Sequence, residues 1–273
     1  MAKDVVIRID GRLGNNLFRL ATAIQYHKDH GKGGLYLCQG DRGWWRYFLT
    51  YKRFHILEPW PKPDLPGIVI GEKNPGEYSP LPDFDEDVLL DGNFESEKYF
   101  PDKDLIDNAL HIPERLMRDI IVGIPDIREC VGISVRRGDY LQNGNDRLFY
   151  TPKIEWYTDM YHKYFEGKPA FVFSDDIEWC MEHMEQNPNF RFYVQQREKD
   201  DPYMITDPVR NIYTMALCHH HICSDSTWAW WGARLCERED AVNIFQDKRF
   251  KNGRVAEEDY IPERWIKEQA EYE

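Results

Sequence analysis

No run of this 273-residue sequence approaches the ~20 consecutive apolar residues of a membrane-spanning helix. The apolar stretch near its start, Val5-Val6-Ile7, is far too short for the core of a secretion signal, so neither anchor nor signal peptide is expected. Cysteine is sparse. The six residues, Cys38, Cys130, Cys180, Cys218, Cys223 and Cys236, are irregularly spaced, which predicts reduced thiols and a soluble, cytoplasmic chain rather than a disulfide framework. Excess positive charge is also missing: 35 Lys and Arg stand against 48 Asp and Glu, a net charge of −13, and so acidic a chain does not track a nucleic-acid backbone. Internal repeats and low-complexity segments are absent. What is present is a 42% hydrophobic, 14% aromatic chain, long enough to bury a sizeable core and too apolar for disorder. An anionic small ligand fits such a chain only where a local basic site overrides the overall field, which directs attention to paired arginines.

The order of patterns predicts an α/β fold. Val5–Ile9 reads as a strand, Asp10-Gly11-Arg12 as a turn, and Leu17, Leu20, Ala21 and Ile24 recur at helical spacing until Gly31. Leu35–Cys38 completes a βαβ unit. The Pro- and Gly-rich stretch 60–83 reads as irregular connection, Val88–Leu90 as a short strand, Glu114–Ile121 as a helix, and Gly123–Asp126 as a linker. Strands over Val131–Val135, Phe171–Phe173, Phe190–Val194, His221–Cys223 and Val242–Phe245 then alternate with helices over Ile154–Phe165, Ile177–Met184, Asn211–Leu217 and Trp228–Glu237. Such alternation implies parallel sheets with helices on both faces. A final amphipathic helix is expected over 262–273, and two domains, 1–126 and 127–273.

Several constellations could carry chemistry. In Ile133-Ser134-Val135-Arg136-Arg137-Gly138-Asp139-Tyr140, two arginines follow directly on an apolar strand, where open α/β sheets bind ligands. Guanidinium forks match phosphate oxygens; the alternative is a pair of surface ion pairs. Ser224-Asp225-Ser226-Thr227 precedes a helix and would either cap it or help bind an anion at its N-terminus. Gly11-Arg12-Leu13-Gly14-Asn15-Asn16 is a tight turn or a weak phosphate loop without the third glycine. Ser174-Asp175-Asp176 ends a strand and would hold a ribose or base edge, or cap the next helix. Cys218, His219, His220, His221 and Cys223 suggest zinc, but they are nearly contiguous and lack a second cluster of metal-ligand spacing, so no metal is expected.

Three of these blocks, in order, resemble the α-1,2-fucosyltransferase family of inverting glycosyltransferases. Gly11-Arg12-Leu13-Gly14-Asn15-Asn16-Leu17-Phe18 is similar to its N-terminal block, Val135-Arg136-Arg137-Gly138-Asp139-Tyr140 to its arginine block, and Ser224-Asp225-Ser226-Thr227-Trp228-Ala229-Trp230-Trp231-Gly232-Ala233 to its tryptophan block. Phe94–Phe100 and Phe173–Asp176 resemble further family segments. The chain departs from the family at Asp10, Asn16, Arg19, Ser134 (often His) and Asp225 (usually Asn), which bears on the acceptor more than on the donor.

The resemblance implies a GT-B-like fold of two Rossmann-like domains, with no cofactor and no metal requirement, in keeping with the lack of a D-x-D motif flanking the arginines. GDP-fucose would be the donor, a galactose-containing glycan the acceptor, and an α-1,2 link the product. Arg136 would stabilise the departing GDP, and Asp139 or Asp10 would be the candidate base. Donor contacts would come from Arg137, Gly138, Ser174, Asp175, Asp176, Ser224, Ser226 and Thr227, and sugar or acceptor contacts from Asp10, Gly14, Asn15 and Asn16. A lipid-linked acceptor would bring the enzyme to the inner face of a membrane. The competing readings are α-1,6 or protein O-fucosylation, a non-catalytic nucleotide- or sugar-binding module, and an α/β domain with a structural Cys/His cluster.

Overall fold

A computed structural model describes residues 3–39, 57–74, 76–142, 144–194, 208–236, 238–251 and 258–273. The chain forms two compact units, Met1–His111 with Val255–Pro262, and Ile112–Arg254 with Glu263–Glu273. The division thus falls ahead of the helix Glu114–Gly123, which packs in the second unit, and not at the expected 126/127.

The first unit holds β1 (Val5–Ile9), α1 (Leu13–His30), β2 (Leu35–Gln39), β3 (Leu57–Pro59), β4 (Ile68–Ile70), β5 (Val88–Leu90) and α2 (Lys103–Leu110). Its sheet is parallel throughout, in the order β3-β2-β1-β5-β4. β1 is central, and Val5, Val6 and Ile7 are fully buried, as expected of a strand covered on both faces. Gly11, at φ +86°, makes the turn into α1, whose Leu13, Leu17, Leu20, Ala21 and Ile24 face the core. Three elements, β3, β4 and α2, differ from the sequence reading. β4 lies inside the stretch expected to be irregular, where Ile68-Val69-Ile70 gains its hydrogen bonds by pairing with β5. α2 was not anticipated; Asp102 caps it, accepting from the Leu105 N–H at 3.0 Å.

The second unit holds α3 (Glu114–Gly123), β6 (Val131–Val135), α4 (Ile154–Phe165), β7 (Ala170–Ser174), α5 (Ile177–His183), β8 (Phe190–Phe192), α6 (Pro208–Ala216), β9 (His220–Cys223), α7 (Thr227–Arg234), β10 (Asn243–Gln246) and β11 (Ile266–Glu268). Its six strands are all parallel, in the order β8-β7-β6-β9-β10-β11. Numbered within the unit this is 3-2-1-4-5-6, the order of dinucleotide-binding sheets, which reverses direction between β6 and β9. Trp230 and Trp231 are fully buried, so these tryptophans are core. Gly232 lets α7 approach α6, because a Cβ there would lie 2.8 Å from Met215 Sδ.

The helix expected over 262–273 is not formed. Ile266–Glu268 adds to β10 as an edge strand instead, and Trp265 stacks on Phe245 at 4.9 Å and 4°. The open edge of β10 offers a full ladder of hydrogen bonds that a surface helix would leave unmet.

Candidate active site

In open α/β sheets, ligands bind outside the carboxyl ends of the strands where the strand order reverses. In the second unit that point lies between β6 and β9. The arginine block leaves β6 there, and Ser224-Asp225-Ser226 leaves β9 beside it, joined by Ser224 N–H donating to Ser134 O at 3.0 Å. Residues ninety positions apart in sequence are therefore brought together by register alone.

Arg136 is mostly buried and sits between two carboxylates. One Nη pairs with Asp139, and Nη1 lies 3.0 Å from Asp175 Oδ2. Arg137 lies flat on Trp179, its Cζ 3.3 Å from the ring centroid, and pairs with Glu273. Both guanidinia keep a buried Nε–H with no acceptor among the described residues. Buried unsatisfied donors are costly, and their presence on two consecutive arginines at a switch point favours an anionic ligand.

Asp175 neither caps α5 nor stands apart from the arginines. Its Oδ1 accepts from the Arg137 backbone N–H at 3.0 Å while Oδ2 holds Arg136. Gly138 is required for that arrangement, since a Cβ there would lie 2.8 Å from Asp175 Cγ and nearer still to Oδ2. Ser174 Oγ accepts from the Asp176 N–H at 2.9 Å, and the Asp176 side chain makes no capping bond to α5.

On the other side of the switch point, α7 follows Ser226, whose side chain makes no cap bond, and it has no acidic residue in its first turn. The capping role expected of Ser or Asp there is thus not realised, and the helix presents N–H groups without a side-chain cap. Ser224 and Ser226 are buried and Thr227 is half-buried. The two blocks are tied together: Tyr140 Oη donates to Asp225 O at 2.7 Å, and Asp225 N–H donates to Gln246 Oε1 at 3.0 Å.

The N-terminal block occupies the corresponding switch point of the first unit, between β1 and β5. Asp10 is exposed and its Oδ1 accepts from the Gly11 N–H at 2.7 Å. Gly14 is buried in the first turn of α1. Asn15 Nδ2 donates to the buried Glu95 at 3.1 Å. Asn16, expected to touch sugar or acceptor, is fully buried instead, its amide accepting from Asp10 N–H at 3.0 Å and donating to Gly11 O at 3.4 Å. Its side chain is spent on the turn. Arg19 donates to Arg8 O and Asn93 Oδ1, both at 3.0 Å, and Asn93 N–H donates to Glu72 at 2.8 Å. Burial pushes the Glu72 carboxyl above the usual range. Phe94, next to Asn93, is the one non-glycine at positive φ (53°) among the described residues, a strained position of the kind that clusters at functional sites.

The histidine run forms no metal-binding group among the described residues. Each ring has protein partners. His221 uses Nδ1 for Asn243 (2.8 Å) and Nε2 for Met215 O (3.0 Å), and His219 Nε2 lies 3.0 Å from Asp240. His220 Nδ1 accepts from the Val242 N–H at 3.2 Å, and its ring stacks on Phe165. Burial, helped by His219, pushes His220 down to about 4. Between pH 6.5 and that value the unfolded chain binds a proton the folded chain refuses, so this stabilisation is complete above pH 6.5 and fades toward pH 4. It amounts to at most about 3 kcal/mol. The melting temperature of His220→Phe is expected to fall less than that of the wild type between pH 7 and pH 4.5; equal falls would remove His220 as the cause.

The profile of glycosyl transferase family 11 matches residues 87–269. Among curated proteins, an Escherichia coli alpha-1,2-colitosyltransferase is 27% identical over 157 residues, 53% of this chain and 50% of the relative. The E. coli O-antigen biosynthesis glycosyltransferase WbnK is 28% identical over 147 residues, 52% and 44%. A galactoside alpha-(1,2)-fucosyltransferase 1 from Saimiri sciureus is 26% identical over 117 residues, 40% and 29%. The chain thus spans half the length of these relatives or less. Among solved structures, fucosyltransferase NodZ from Bradyrhizobium aligns with a TM-score of 0.53 at 11% identity, covering 89% of this chain and 95% of that one. An Arabidopsis thaliana FUT1 mutant in complex with GDP aligns at 0.51 and 13%, covering 93% and 72%. At these identities the likeness concerns the fold, which is α/β and GT-B-like with two parallel-sheet units.

Proposed function

The chain belongs to glycosyl transferase family 11, and from that premise we propose that it transfers L-fucose from GDP-fucose to the 2-hydroxyl of a terminal galactose, with inversion to an α-1,2 link. The observation that carries this reading is the meeting of Arg136, Arg137 and the uncapped start of α7 at the switch point of a dinucleotide-type sheet. As the fucose–phosphate bond breaks, negative charge collects on the departing GDP. Arg136 is placed to meet it, and the N-terminus of α7 with Ser226 and Thr227 holds the phosphates. Arg137, flat on Trp179, keeps the loop in place and lends its charge. Asp176 is the carboxylate left for a ribose or base edge.

Asp139, a candidate base, is engaged by Arg136, and Asp175 brackets the guanidinium from the other side. We assign both to positioning. Asp10, exposed in the first unit, is the remaining candidate for the acceptor proton, with Asn15 as a sugar or acceptor contact. If the leaving group departs well ahead of attack, no strong base is needed.

The similarity to a colitosyltransferase supports a second reading, α-1,2 transfer of a related deoxysugar. Incubating the chain with GDP-fucose and a panel of β-galactosides in EDTA, with NMR of the product, tests both. The expected product carries an α-1,2-linked fucose. Tight GDP binding with no transfer to any galactoside, from fucose or colitose donors, would contradict the proposal and favour a binding module.

Glu273 competes with a donor phosphate for Arg137. Glu273→Gln is therefore expected to tighten GDP binding several-fold in calorimetry, since it removes one negative charge near an anionic ligand. An unchanged or weaker Kd would mean that Glu273 orients Arg137 instead.

A further inference from the structure

Asp225 poses an electrostatic problem for the donor reading. It lies between Ser224 and Ser226, two residues before α7, with only 3% of its side chain exposed. A carboxylate this deeply buried beside a phosphate site repels the ligand unless its charge is cancelled. Arg249, on the segment after β10, stands against it: Nε lies 2.8 Å from Asp225 Oδ1, and its side chain is 8% exposed.

Arg249 is also fixed from behind. Its carbonyl accepts from the Tyr150 N–H at 2.9 Å, and its guanidinium lies over Phe250, 4.7 Å from the centroid. Phe250 packs on Phe149, which stacks on Tyr140 at 4.1 Å, and Tyr140 Oη donates to Asp225 O. The contacts close a ring from Asp225 through Arg249, Phe250, Phe149 and Tyr140 back to Asp225. That ring joins the segment after β10 to both sequence blocks.

We infer that Arg249 is a positioning residue for the donor loop, cancelling the charge of Asp225 so that a nucleoside diphosphate can lie against the start of α7. The inference rests on the GDP-sugar reading. Arg249 touches no substrate in this account and acts through Asp225.

The test is GDP titration by calorimetry on the full chain, comparing wild type with Arg249→Met, Asp225→Asn and the double variant. Arg249→Met removes the guanidinium that faces the buried carboxylate and is expected to weaken GDP binding by ~30-fold or more. Asp225→Asn removes the repulsion, so the double variant is expected to recover to within ~3-fold of Asp225→Asn alone, a non-additivity typical of directly coupled residues. In turnover, the loss in Arg249→Met falls on the donor KM and spares the acceptor KM. Should Arg249→Met not fold, Arg249→Lys, which keeps the charge, is expected to bind GDP within ~3-fold of wild type, and Arg249→Gln ~30-fold more weakly. A double variant as weak as Arg249→Met, or an Arg249→Met protein that binds GDP like wild type, would overturn the inference. A wild-type chain that binds no GDP would instead overturn the functional reading, and this inference with it.

Discussion

Arg136→Ala is expected to lower the rate of sugar transfer by on the order of 10²–10³-fold or more while the chain stays folded. The guanidinium is the donor best placed to meet charge on a departing diphosphate, with a buried Nε–H lacking an acceptor among the described residues. Its removal also leaves Asp139 and Asp175 facing the site without their shared cation, which opposes the donor further. Arg136→Lys restores charge but not the planar fork and is expected to recover only part of the rate. The readouts are kcat, GDP affinity and melting temperature. A folded Arg136→Ala protein with wild-type kcat would remove Arg136 from the mechanism.

Gly138→Ala should produce the second largest effect, for a reason confined to geometry. The added methyl would collide with the Asp175 carboxylate. That carboxylate is not a loose side-chain end, because it is held by the Arg137 backbone N–H and by Arg136. Either the 136–139 turn or Asp175 must move, and displacement of a positioning group by about 1 Å can cost ~10² in rate. The expected outcome is a kcat/KM lower by about two orders of magnitude, with a melting temperature within a few degrees of wild type. Near-normal kcat/KM would mean that the turn tolerates the methyl and that Asp175 does not set the arginines.

Much of this arrangement could be read from sequence because it is carried by local patterns. Buried parallel strands are apolar runs, as in Val131–Val135 and Ala170–Ser174, and α1 and α4 show helical periodicity throughout. The arginine and tryptophan blocks were legible for the same reason, each being contiguous. Two of the short edge strands were not. Ile68–Ile70 and Ile266–Glu268 are strands because a neighbour offers hydrogen bonds, and their own residues fit a loop or a helix equally well.

The partners of the arginines were equally hidden. Asp175 reaches Arg137 from 38 residues away and Glu273 from 136, and Arg249, after β10, meets Asp225, after β9. No spacing rule connects such pairs; only the strand order does. Asn16 shows the converse. Its block suggested a ligand contact, yet an amide beside a tight turn satisfies the local backbone first.

A nucleoside diphosphate is expected to bind at the β6/β9 switch point of the second unit. A crystal structure of the chain soaked with GDP tests it most directly. Diphosphate density is expected against Arg136 and the first turn of α7, with Glu273 displaced from Arg137. Diphosphate bound away from those residues, or no GDP bound at millimolar concentration, would contradict it.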